Sequence, residues 1–475
     1  MHGYRHFYID GRWVEPATPG VIEVVDPATE ARCGSVAAGS AQDVDHAVEA
    51  ARRAFDAWSQ TSRNERLALL LRIADCYDAR AGDLAQALTD EMGAPRALAA
   101  QAQVPLGSGH FRSAARALTH FAFERLHGDT LVLLEPIGVC GMITPWNWPL
   151  HQIACKVAPA IATGCTMVLK PSEVAPLSGQ IFGEIMAEAG VPAGVFNLVQ
   201  GDGPNVGAPL AAHPDVDLIS FTGSTRAGIE VARLAAPTVK RVAQELGGKS
   251  ACIALDDARL SDSVASCIDR VMINSGQSCN APTRLLVPAA RMDEAVAAAR
   301  GAAERASVGS PLGNARLGPV VSAAQWTRIQ ALIEAGIAEG ADLVAGGPGR
   351  PEGLDRGFFV RPTVFANVKN HMSIAREEIF GPVACILGYR DLDDAVAIAN
   401  DSIYGLSAAV SGENLVEARA LARRLRAGEV ILNGAWDIDA PFGGYKQSGN
   451  GRERGEFGFH DFLEIKAIVG HGPVA

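Results

Sequence analysis

A cysteine in a polar, irregular stretch of the chain is the first candidate for chemistry. Cys279 lies in the sequence INSGQSCNAPTR, residues 273–284, among Gly, Ser, Asn and Pro. A cysteine that only fills a core usually lies among aliphatic residues, whereas this setting predicts a loop that exposes and positions the thiol. Such a thiol is a candidate nucleophile. Because most cysteines are structural, the assignment depends on the residues that the fold brings to Cys279.

Two further side chains are candidates for the same chemistry. Glu245 ends a predicted strand in VAQELGGKS, directly before Leu246 and Gly247. A carboxylate in apolar surroundings has a raised pKa and suits general-base action on water, although a carboxylate at a domain hinge can also cap the backbone that follows it. Asn147, in TPWNWPL, has an amide that can donate to an oxyanion. Its structural alternative is to cap the next helix.

Glycines after predicted strands indicate a site for a cofactor with phosphates. GDGPNVG has Gly201, Gly203 and Gly207, which misses the GxGxxG spacing by one residue and is weak evidence for a standard dinucleotide fingerprint. In ISFTGSTRAG, Gly223 and Ser224 lead from a strand into a helix whose N-terminus can receive a pyrophosphate. An ordinary turn with Ser224 as N-cap explains the same residues. The sequence has no GxxxxGK[ST], which disfavours a nucleotide-hydrolysing P-loop.

The stretch VLKPSE has a cation and a carboxylate after another predicted strand. Lys170 and Glu173 can hydrogen-bond to ribose hydroxyls, or they can be solvated loop residues. If they bind a cofactor, Glu173 repels a 2′-phosphate. Coenzyme binding by Lys170 and Glu173 would therefore favour NAD over NADP as the coenzyme.

The elements that must position these residues alternate between strands and helices. From Val139 the short apolar runs VCGMIT, CTMVLK, VFNLVQ, DLISF and VKRVAQEL are separated by helical stretches, and the alternation begins again after Lys249 with SACIAL and TRLLVP. This order predicts parallel sheets covered on both faces, with ligands at the carboxyl ends of the strands. Two α/β domains joined near Gly247 follow from it.

Shorter elements complete the predicted fold. A hairpin over residues 7–14 turns at Asp10 and Gly11, and Ser40 with Asp43 is typical of a capping box before an amphipathic helix. Residues 130–134 and 463–469 are edge-capable strands, which invite pairing between subunits. We therefore predict a homodimer or homotetramer.

Composition and charge exclude several classes of protein. The chain has 475 residues, which predicts two or three domains, and its net charge of −11 argues against nucleic acid as a partner. Nine scattered cysteines without a CxxC pair indicate neither a disulfide framework nor a structural metal site. The N-terminus lacks a signal-peptide core and no long apolar run occurs, so we expect a cytoplasmic protein that is not in a membrane.

Seven motifs in order resemble those of the NAD(P)-dependent aldehyde dehydrogenase superfamily: TPWNWP, KPSE, FTGSTRAG, ELGGK, GQSC, EEIFGP and PFGGYKQSG. The resemblance covers nearly the whole chain and implies an aldehyde dehydrogenase-like α/β fold with two parallel-sheet domains. The coenzyme-binding domain, an atypical Rossmann type, is expected at residues 1–117 and 137–247. The catalytic domain is expected at 248–458, and a small β oligomerisation arm at 118–136 and 459–475.

The resemblance also implies a role for each candidate residue. Cys279 attacks the aldehyde, Asn147 and the Cys279 backbone N–H hold the oxyanion, and Glu245 activates the thiol and then the water that hydrolyses the thioester. The coenzyme is NAD, with NADP as the alternative. The implied coenzyme contacts are Ile143, Thr144, Pro145, Trp146, Lys170, Ser172, Glu173, Gly203, Gly207, Phe221, Thr222, Gly223, Ser224, Leu246, Gly247, Glu378 and Phe380.

The substrate pocket is harder to predict, because residues 433–441, NGAWDIDAP, form a shorter loop than in many members of that family. Trp436 in this loop, with His151, Gln152 and Cys155 on the helix after Asn147, is expected to line it. We expect a pocket of apolar to mixed character for a medium-sized aliphatic or aromatic aldehyde.

Three other functions compete with hydrolytic aldehyde oxidation. A CoA-acylating semialdehyde dehydrogenase passes the acyl group to CoA, but such relatives tend to lack the glutamate that stands here as Glu245. A non-catalytic relative is expected to lose the thiol or the base, and both are retained. A simple cysteine hydrolase needs a histidine partner, and none of the seven motifs contains a His.

Overall fold

A computed structural model describes residues 2–472 of the chain. Met1 of the predicted coenzyme domain and residues 473–475 of the predicted arm lie outside the described residues. In chain order the strands are β1 His2–Tyr4, β2 Phe7–Ile9, β3 Arg12–Val14, β4 Val21–Asp26, β5 Ala31–Ala37, β6 Glu124–His127, β7 Thr130–Pro136, β8 Val139–Ile143, β9 Thr166–Lys170, β10 Phe196–Leu198, β11 Leu218–Thr222, β12 Arg241–Glu245, β13 Ala251–Ala254, β14 Arg284–Pro288, β15 Asp342–Ala345, β16 Thr363–Ala366, β17 Val383–Tyr389, β18 Ser407–Ser411, β19 Glu429–Leu432, β20 Gly449–Asn450 and β21 Leu463–Ile468.

Helices alternate with these strands. They are α1 Ala41–Ser59, α2 Arg63–Ala79, α3 Ala81–Met92, α4 Arg96–Leu98, α5 Val104–His120, α6 Pro149–Thr163, α7 Leu177–Glu188, α8 Ala208–Ala212, α9 Thr225–Ala235, α10 Leu260–Met272, α11 Met292–Arg305, α12 Ala323–Ala338, α13 Ser373–Arg376, α14 Leu392–Asn400 and α15 Leu415–Ala422. No helix within residues 2–472 is long and apolar enough to span a bilayer.

The first large sheet has eight strands in the order β20-β12-β11-β8-β9-β10-β2-β3. Its five central strands, β12 to β10 in that order, run parallel, and β8, β9 and β11 are buried along their whole length. Their carboxyl ends lie side by side, since Ile143 pairs with Lys170 and with Phe221, and Thr222 pairs with Glu245. The predicted coenzyme loops therefore leave the sheet at one edge, as expected for parallel strands.

The second large sheet has seven strands in the order β15-β16-β17-β14-β13-β18-β19. All its pairs are parallel except β15 with β16. The prediction of parallel sheets is therefore right for the central strands of both sheets. Their edges contain antiparallel strands because short returns, such as the β2–β3 hairpin, reverse the chain direction.

A late segment of the chain joins the two halves. β20 pairs with Gln244 and Glu245, and the N–H of Leu246 donates to the carbonyl of Ser448 at 2.9 Å. Residues 448–450 fall within the predicted catalytic domain, yet they complete the edge of the coenzyme sheet beside Glu245. The domain boundaries themselves stay a prediction.

Two local predictions are confirmed. The hairpin turns at Asp10 and Gly11, whose φ values of 53° and 72° are those that a two-residue turn requires. At the start of α1 the Asp43 carboxylate accepts from the Ser40 N–H at 2.9 Å and from its hydroxyl at 2.7 Å, which closes a capping box.

The predicted edge strands form a small three-stranded sheet, in the order β21-β7-β6, separate from the two large sheets. β21 pairs with β7 along its whole length, and β7 pairs with β6, a strand that the sequence analysis did not predict. The two predicted strands thus pair with each other within one chain. Exposed apolar side chains on this arm include Leu126 and Ile465.

Candidate active site

The turn before Cys279 has an uncommon backbone conformation. After α10 the residues Asn274, Ser275 and Gly276 have φ values of 55°, 54° and 74°, so three successive residues are left-handed. This conformation costs about 1 kcal/mol or more for each residue that has a Cβ. Gly276 is required for a second reason, since a Cβ there would lie 2.0 Å from the carbonyl oxygen of Gly381.

Buried hydrogen bonds hold this turn in place. The Asn274 amide donates to the Asn147 carbonyl at 2.8 Å and accepts from Gln103 Nε2 at 3.0 Å. The Ser275 hydroxyl donates to the carbonyl of Gly318 at 2.8 Å. These contacts offset the backbone strain and determine where the chain emerges at Cys279.

Asn147 lies buried beside the cysteine loop. Its Nδ2 donates to the carbonyl of Gln277 at 3.1 Å, and the neighbouring Trp148 donates from Nε1 to the Ser278 hydroxyl at 2.8 Å. The side chain of Asn147 makes no capping hydrogen bond to α6, whose N-cap is Trp148. The structural alternative for Asn147, capping of the next helix, is therefore wrong.

Two cavities meet at Cys279. The tryptophan cavity, about 600 Å³ up to its open mouth, is lined by Leu106, His110, Trp148, His151, Gln152, Ser278, Cys279, Asn280, Trp436, Ile438, Phe442 and Arg454. The strand-end cavity, about 710 Å³, is lined by Pro145, Trp146, Asn147, Gln152, Thr222, Gly223, Ser224, Leu246, Gly247, Cys279, Gln325, Arg328, Glu378 and Phe380. The thiol is half-buried at their junction.

The surroundings of Cys279 keep its thiol protonated. Burial raises the pKa of the thiol above its usual value, and the carboxylates of Glu378 and Glu245 raise that pKa further. Arg454 acts in the opposite direction. Attack by this sulfur therefore needs a group that takes its proton.

Glu245 lies in a small enclosed cavity with Lys156, Arg452 and Glu453, and it lines neither cavity that Cys279 lines. Both oxygens of its carboxylate are buried without a hydrogen-bond partner among residues 2–472. Burial raises the pKa of Glu245 well above the usual carboxyl range, and Glu453 adds to the increase. Lys156, whose Nζ is 2.5 Å from Glu453 Oε1, lowers that pKa.

The predicted substrate residues do not all face one cavity. His151, Gln152 and Trp436 line the tryptophan cavity. Cys155 does not, because its thiol lies 3.1 Å from Glu453 Oε2 in the cavity of Glu245. The expectation that Cys155 forms part of the pocket wall is wrong, since it lies one turn further along α6 than His151 and Gln152, where Glu453 packs against it.

Glu378 lies in the strand-end cavity against a glycine backbone. Its Oε1 accepts from the Gly248 N–H at 3.0 Å, and a Cβ on Gly247 would lie 2.4 Å from its Oε2. Burial raises the pKa of Glu378 to about 7. Trp146 and Phe380 form an edge-to-face contact at 5.3 Å on the wall of this cavity.

The model of the aldehyde dehydrogenase family matches residues 13–468 of this sequence. The chain belongs to the aldehyde dehydrogenase family. It is 56% identical over 474 residues to 3-succinoylsemialdehyde-pyridine dehydrogenase of Pseudomonas sp., with 99% of each chain covered.

Solved structures of aldehyde dehydrogenases have the same fold. Aldehyde dehydrogenase C of Pseudomonas syringae, a mutant in complex with NAD+ and octanal, is 54% identical with a TM-score of 0.98, and the match covers 99% of this chain and 98% of that one. An aldehyde dehydrogenase of Mycobacterium tuberculosis complexed with NAD+ is 41% identical with a TM-score of 0.96, and 98% of each chain is covered. The predicted family and the predicted fold class are confirmed.

In this aldehyde dehydrogenase the remaining coenzyme candidates extend from the strand-end cavity along the sheet edge. Lys170 is buried and donates to Glu173 at 3.1 Å, and neither lines the strand-end cavity. Gly207 lies beside Lys170 and Ile143, since a Cβ built on it would be 3.7 Å and 4.0 Å from their side chains. Gly203 is exposed and begins a helical turn capped by Asp202.

The other candidates have local structural partners as well. The Ser224 hydroxyl accepts from the Ala227 N–H at 3.3 Å as the N-cap of α9, and the Ser172 hydroxyl accepts from Val174 at 3.2 Å. The ring of Phe221 is buried against Gly223. Ser224 is thus the N-cap of α9, and this helix begins at the strand-end cavity, where pyrophosphate binding by Gly223 and Ser224 stays a prediction.

Sequence reasoning missed several residues of the site. They are Gln103 directly before α5, His110 on α5, Lys156 on α6, and Glu453 and Arg454 after β20; none stands in a recognised part of a motif. A signal was present for two of them, because Glu453 and Arg454 lie in the polar stretch NGRERG that continues the motif PFGGYKQSG. Lys446, within that motif, donates to the carbonyls of Asn400 and Ser402.

Proposed function

We propose that this chain oxidises an aldehyde to a carboxylic acid with NAD, through a thioester on Cys279. The observation that carries the proposal is the position of the thiol, at the junction of the tryptophan cavity and the strand-end cavity. A nucleophile there meets an aldehyde from one side and a coenzyme from the other. The relatives solved with NAD+, one of them also with octanal, support this assignment.

The residues of the strand-end cavity fit a dinucleotide. The hydroxyls of Thr144 and Thr222, at the ends of two parallel strands, are buried without a partner among the described residues. Gly223 and Gly247 leave room for close approach of a ligand to the backbone, and Glu378 offers carboxylate oxygens to a ribose. When bound, the nicotinamide accepts the hydride that the oxidation releases.

Asn147 and the cysteine loop bind the carbonyl oxygen of the aldehyde. An amide NH₂ has two N–H bonds, and the contact with Gln277 uses one of them. The second donates to the oxyanion that forms when Cys279 attacks, together with the backbone N–H of Cys279. Donors that are fixed before the reaction stabilise this charge without reorganisation.

Glu245 acts as the base for the water that hydrolyses the thioester. Its raised pKa makes it a stronger base than an ordinary carboxylate. Leu246 and Gly247, the next two residues after Glu245, line the strand-end cavity. Because Glu245 is therefore close to that cavity, a change of its side-chain rotamer moves the carboxylate from the enclosed cavity toward the sulfur of Cys279. The enclosed position next to Lys156 and Glu453 is then a resting state in which the carboxyl can exchange its proton.

The shape of the tryptophan cavity supports a medium-sized substrate. Its walls combine Leu106, Trp148, Trp436, Ile438 and Phe442, which favour an alkyl chain or a ring. The relative from P. syringae was solved with octanal, and the name of the Pseudomonas sp. relative includes a pyridine group. We propose an aliphatic or aromatic aldehyde of that size as substrate.

The test is NADH formation, measured by its absorbance, with NAD and hexanal, with and without CoA. We expect a carboxylic acid as product in both cases, because Glu245 is retained. Formation of acyl-CoA in place of the acid would establish the CoA-acylating alternative. Cys279→Ala is expected to abolish NADH formation, whereas the same change at the half-buried Cys76, which lines neither cavity, is expected to leave it intact.

Assembly and location are also proposals. The arm presents Leu126, 62% exposed, and Ile465, 73% exposed, beside open strand edges, which supports a homodimer or homotetramer. Sedimentation velocity with Ile465→Lys tests this, and a wild-type monomer would contradict it.

A cytoplasmic location is consistent with nine free cysteines. Fractionation of cells tests that location.

A further inference from the structure

A buried arginine lies on the wall of the tryptophan cavity. The side chain of Arg454 is 8% exposed, and its guanidinium lies 4.2 Å above the ring of Phe442, which lines the same cavity. No nitrogen of the guanidinium makes a hydrogen bond within residues 2–472; the buried Nη1 is the one beside Glu429, and the other nitrogens are left to face the cavity that Arg454 lines. A buried donor without an acceptor costs free energy, so such a group in a ligand cavity points to an acceptor on the ligand.

The charge of Arg454 is already balanced. Glu429 Oε1 lies 3.6 Å from Arg454 Nη1, beyond hydrogen-bond distance, and this carboxylate is itself mostly buried. His110 and His151 share a 2.7 Å hydrogen bond on the same wall and stay neutral, because burial lowers the pKa of His110 to about 3 and that of His151 well below its usual value. This wall of the tryptophan cavity therefore has N–H donors, while the net charge of its side chains together with Glu429 is small.

We infer that Arg454 determines substrate specificity by donating a hydrogen bond to an uncharged acceptor, such as a ring nitrogen or a keto oxygen, at the far end of the aldehyde. A carboxylate at that place would add a second buried anion beside Glu429, which the single guanidinium cannot compensate. An uncharged acceptor pairs the free N–H at no such cost. The inference rests on the proposed aldehyde oxidation and adds the class of substrate.

The experiment compares aldehydes that differ at one atom. The probes are 3-phenylpropanal, its 3-pyridyl and 4-pyridyl analogues, and 3-(4-carboxyphenyl)propanal, each assayed for kcat/KM with NAD at pH 8. For the wild type we expect kcat/KM of the better pyridyl aldehyde to exceed that of the phenyl aldehyde by about tenfold or more. This is the range for a hydrogen bond from a charged donor. The carboxyphenyl aldehyde is expected to be the poorest.

Arg454→Leu should remove this preference, so that the ratio of pyridyl to phenyl kcat/KM falls toward one. The matched control is Arg390→Leu, the same change in an exposed ion pair with Asp394, which is expected to keep the wild-type ratio. A wild-type ratio near one, or a ratio that Arg454→Leu leaves unchanged, would overturn the inference. Arg454 would then only stabilise the wall through Phe442 and Glu429.

Glu429→Gln tests the charge argument separately. Without this anion the guanidinium is uncompensated, so we expect kcat/KM for the carboxyphenyl aldehyde to rise about tenfold relative to the phenyl aldehyde. No rise would mean that substrates do not meet the charge of Arg454. Equilibrium binding to Cys279→Ala, followed by quenching of tryptophan fluorescence, should show the same order of affinities without turnover.

These outcomes separate the two proposals. If phenylpropanal is oxidised but the ratios are flat, the specificity inference fails and the proposed function stands. If no probe yields NADH although the Cys279→Ala variant binds the pyridyl aldehydes preferentially, the proposed function fails and the binding inference stands.

Discussion

The side-chain amide of Asn274 donates a 2.8 Å hydrogen bond to the backbone carbonyl of Asn147, which joins the turn before the proposed nucleophile, Cys279, to the loop of the proposed oxyanion donor, Asn147. The variant Asn274→Gly removes this hydrogen bond but keeps the backbone conformation, because glycine adopts φ near 55° without strain. We expect kcat to fall by about one hundredfold, since loss of the contact misplaces two reacting groups relative to each other.

Asn367→Gly is the matched control for that change. Asn367 has φ of 52° and an exposed side chain on the surface of the second sheet. In steady-state kinetics with hexanal, the kcat of this variant should be close to that of the wild type. Equal activity of Asn274→Gly and Asn367→Gly would show that the contact between the two loops does not align the site.

Glu245→Gln is expected to separate acylation from deacylation. The amide keeps the size of the side chain but cannot take a proton from water, so the thioester should accumulate. In stopped-flow measurements we expect a burst of NADH close to one per active site, followed by a steady state about one hundredfold slower than wild type. The exposed Glu456→Gln is the control. Unchanged steady-state turnover in Glu245→Gln would remove Glu245 as the base.

Lys156→Met should move the pH dependence of turnover. The Lys156 ammonium lowers the pKa of Glu245, so its removal raises that pKa, and Glu245 then loses its proton only at higher pH. The alkaline rise in deacylation rate is expected to shift to higher pH, measured as kcat against pH. A shift to lower pH, or none, would show that Lys156 does not act on the base.

Glu173→Gln should change the choice of coenzyme. The Glu173 carboxylate is paired with Lys170 at 3.1 Å, at the strand end where the resemblance places the adenosine ribose. Removing its negative charge relieves repulsion of a 2′-phosphate, so kcat/KM for NADP relative to NAD is expected to rise about tenfold. Glu188→Gln, at an ion pair with Arg80, is the control. A falling ratio would contradict the assignment.

The buried histidine pair predicts acid sensitivity of the fold. Burial lowers the pKa of His110 to about 3 in the folded chain, against about 6.5 when unfolded, so between these values the unfolded state binds more protons. Stability from His110 is therefore complete above pH 6.5 and is lost as the pH falls toward 3. The slope is at most about 1.4 kcal/mol per pH unit for one proton.

His110→Gln should flatten this dependence, and thermal unfolding midpoints from pH 7 to pH 4.5 measure it. The exposed His371→Gln provides the comparison and should follow the wild type. If the wild type, His110→Gln and His371→Gln lose the same number of degrees on acidification, the pair does not account for acid sensitivity.

Much of this fold was predictable from local sequence patterns. The apolar runs of β8, β9 and β11 are buried along their whole length, and their carboxyl ends carry the loops that contain Asn147, Lys170 and Gly223. Parallel strands leave few alternatives for where such loops meet, so motif and alternation together indicate the site.

The sequence by itself determined the family, the alternation of strands and helices, and the identity of Cys279, Asn147 and Glu245 as candidates, because each depends on residues close together in the chain. Only the tertiary structure decided that Glu245 turns toward Lys156 and Glu453, that Glu453 packs against Cys155 outside the pocket, and that Arg454 lines the pocket. These facts depend on side-chain rotamers and on packing between segments as far apart as α6 and residues 450–454. A one-dimensional pattern does not carry that information, since the direction of a side chain is set by neighbours that only folding supplies.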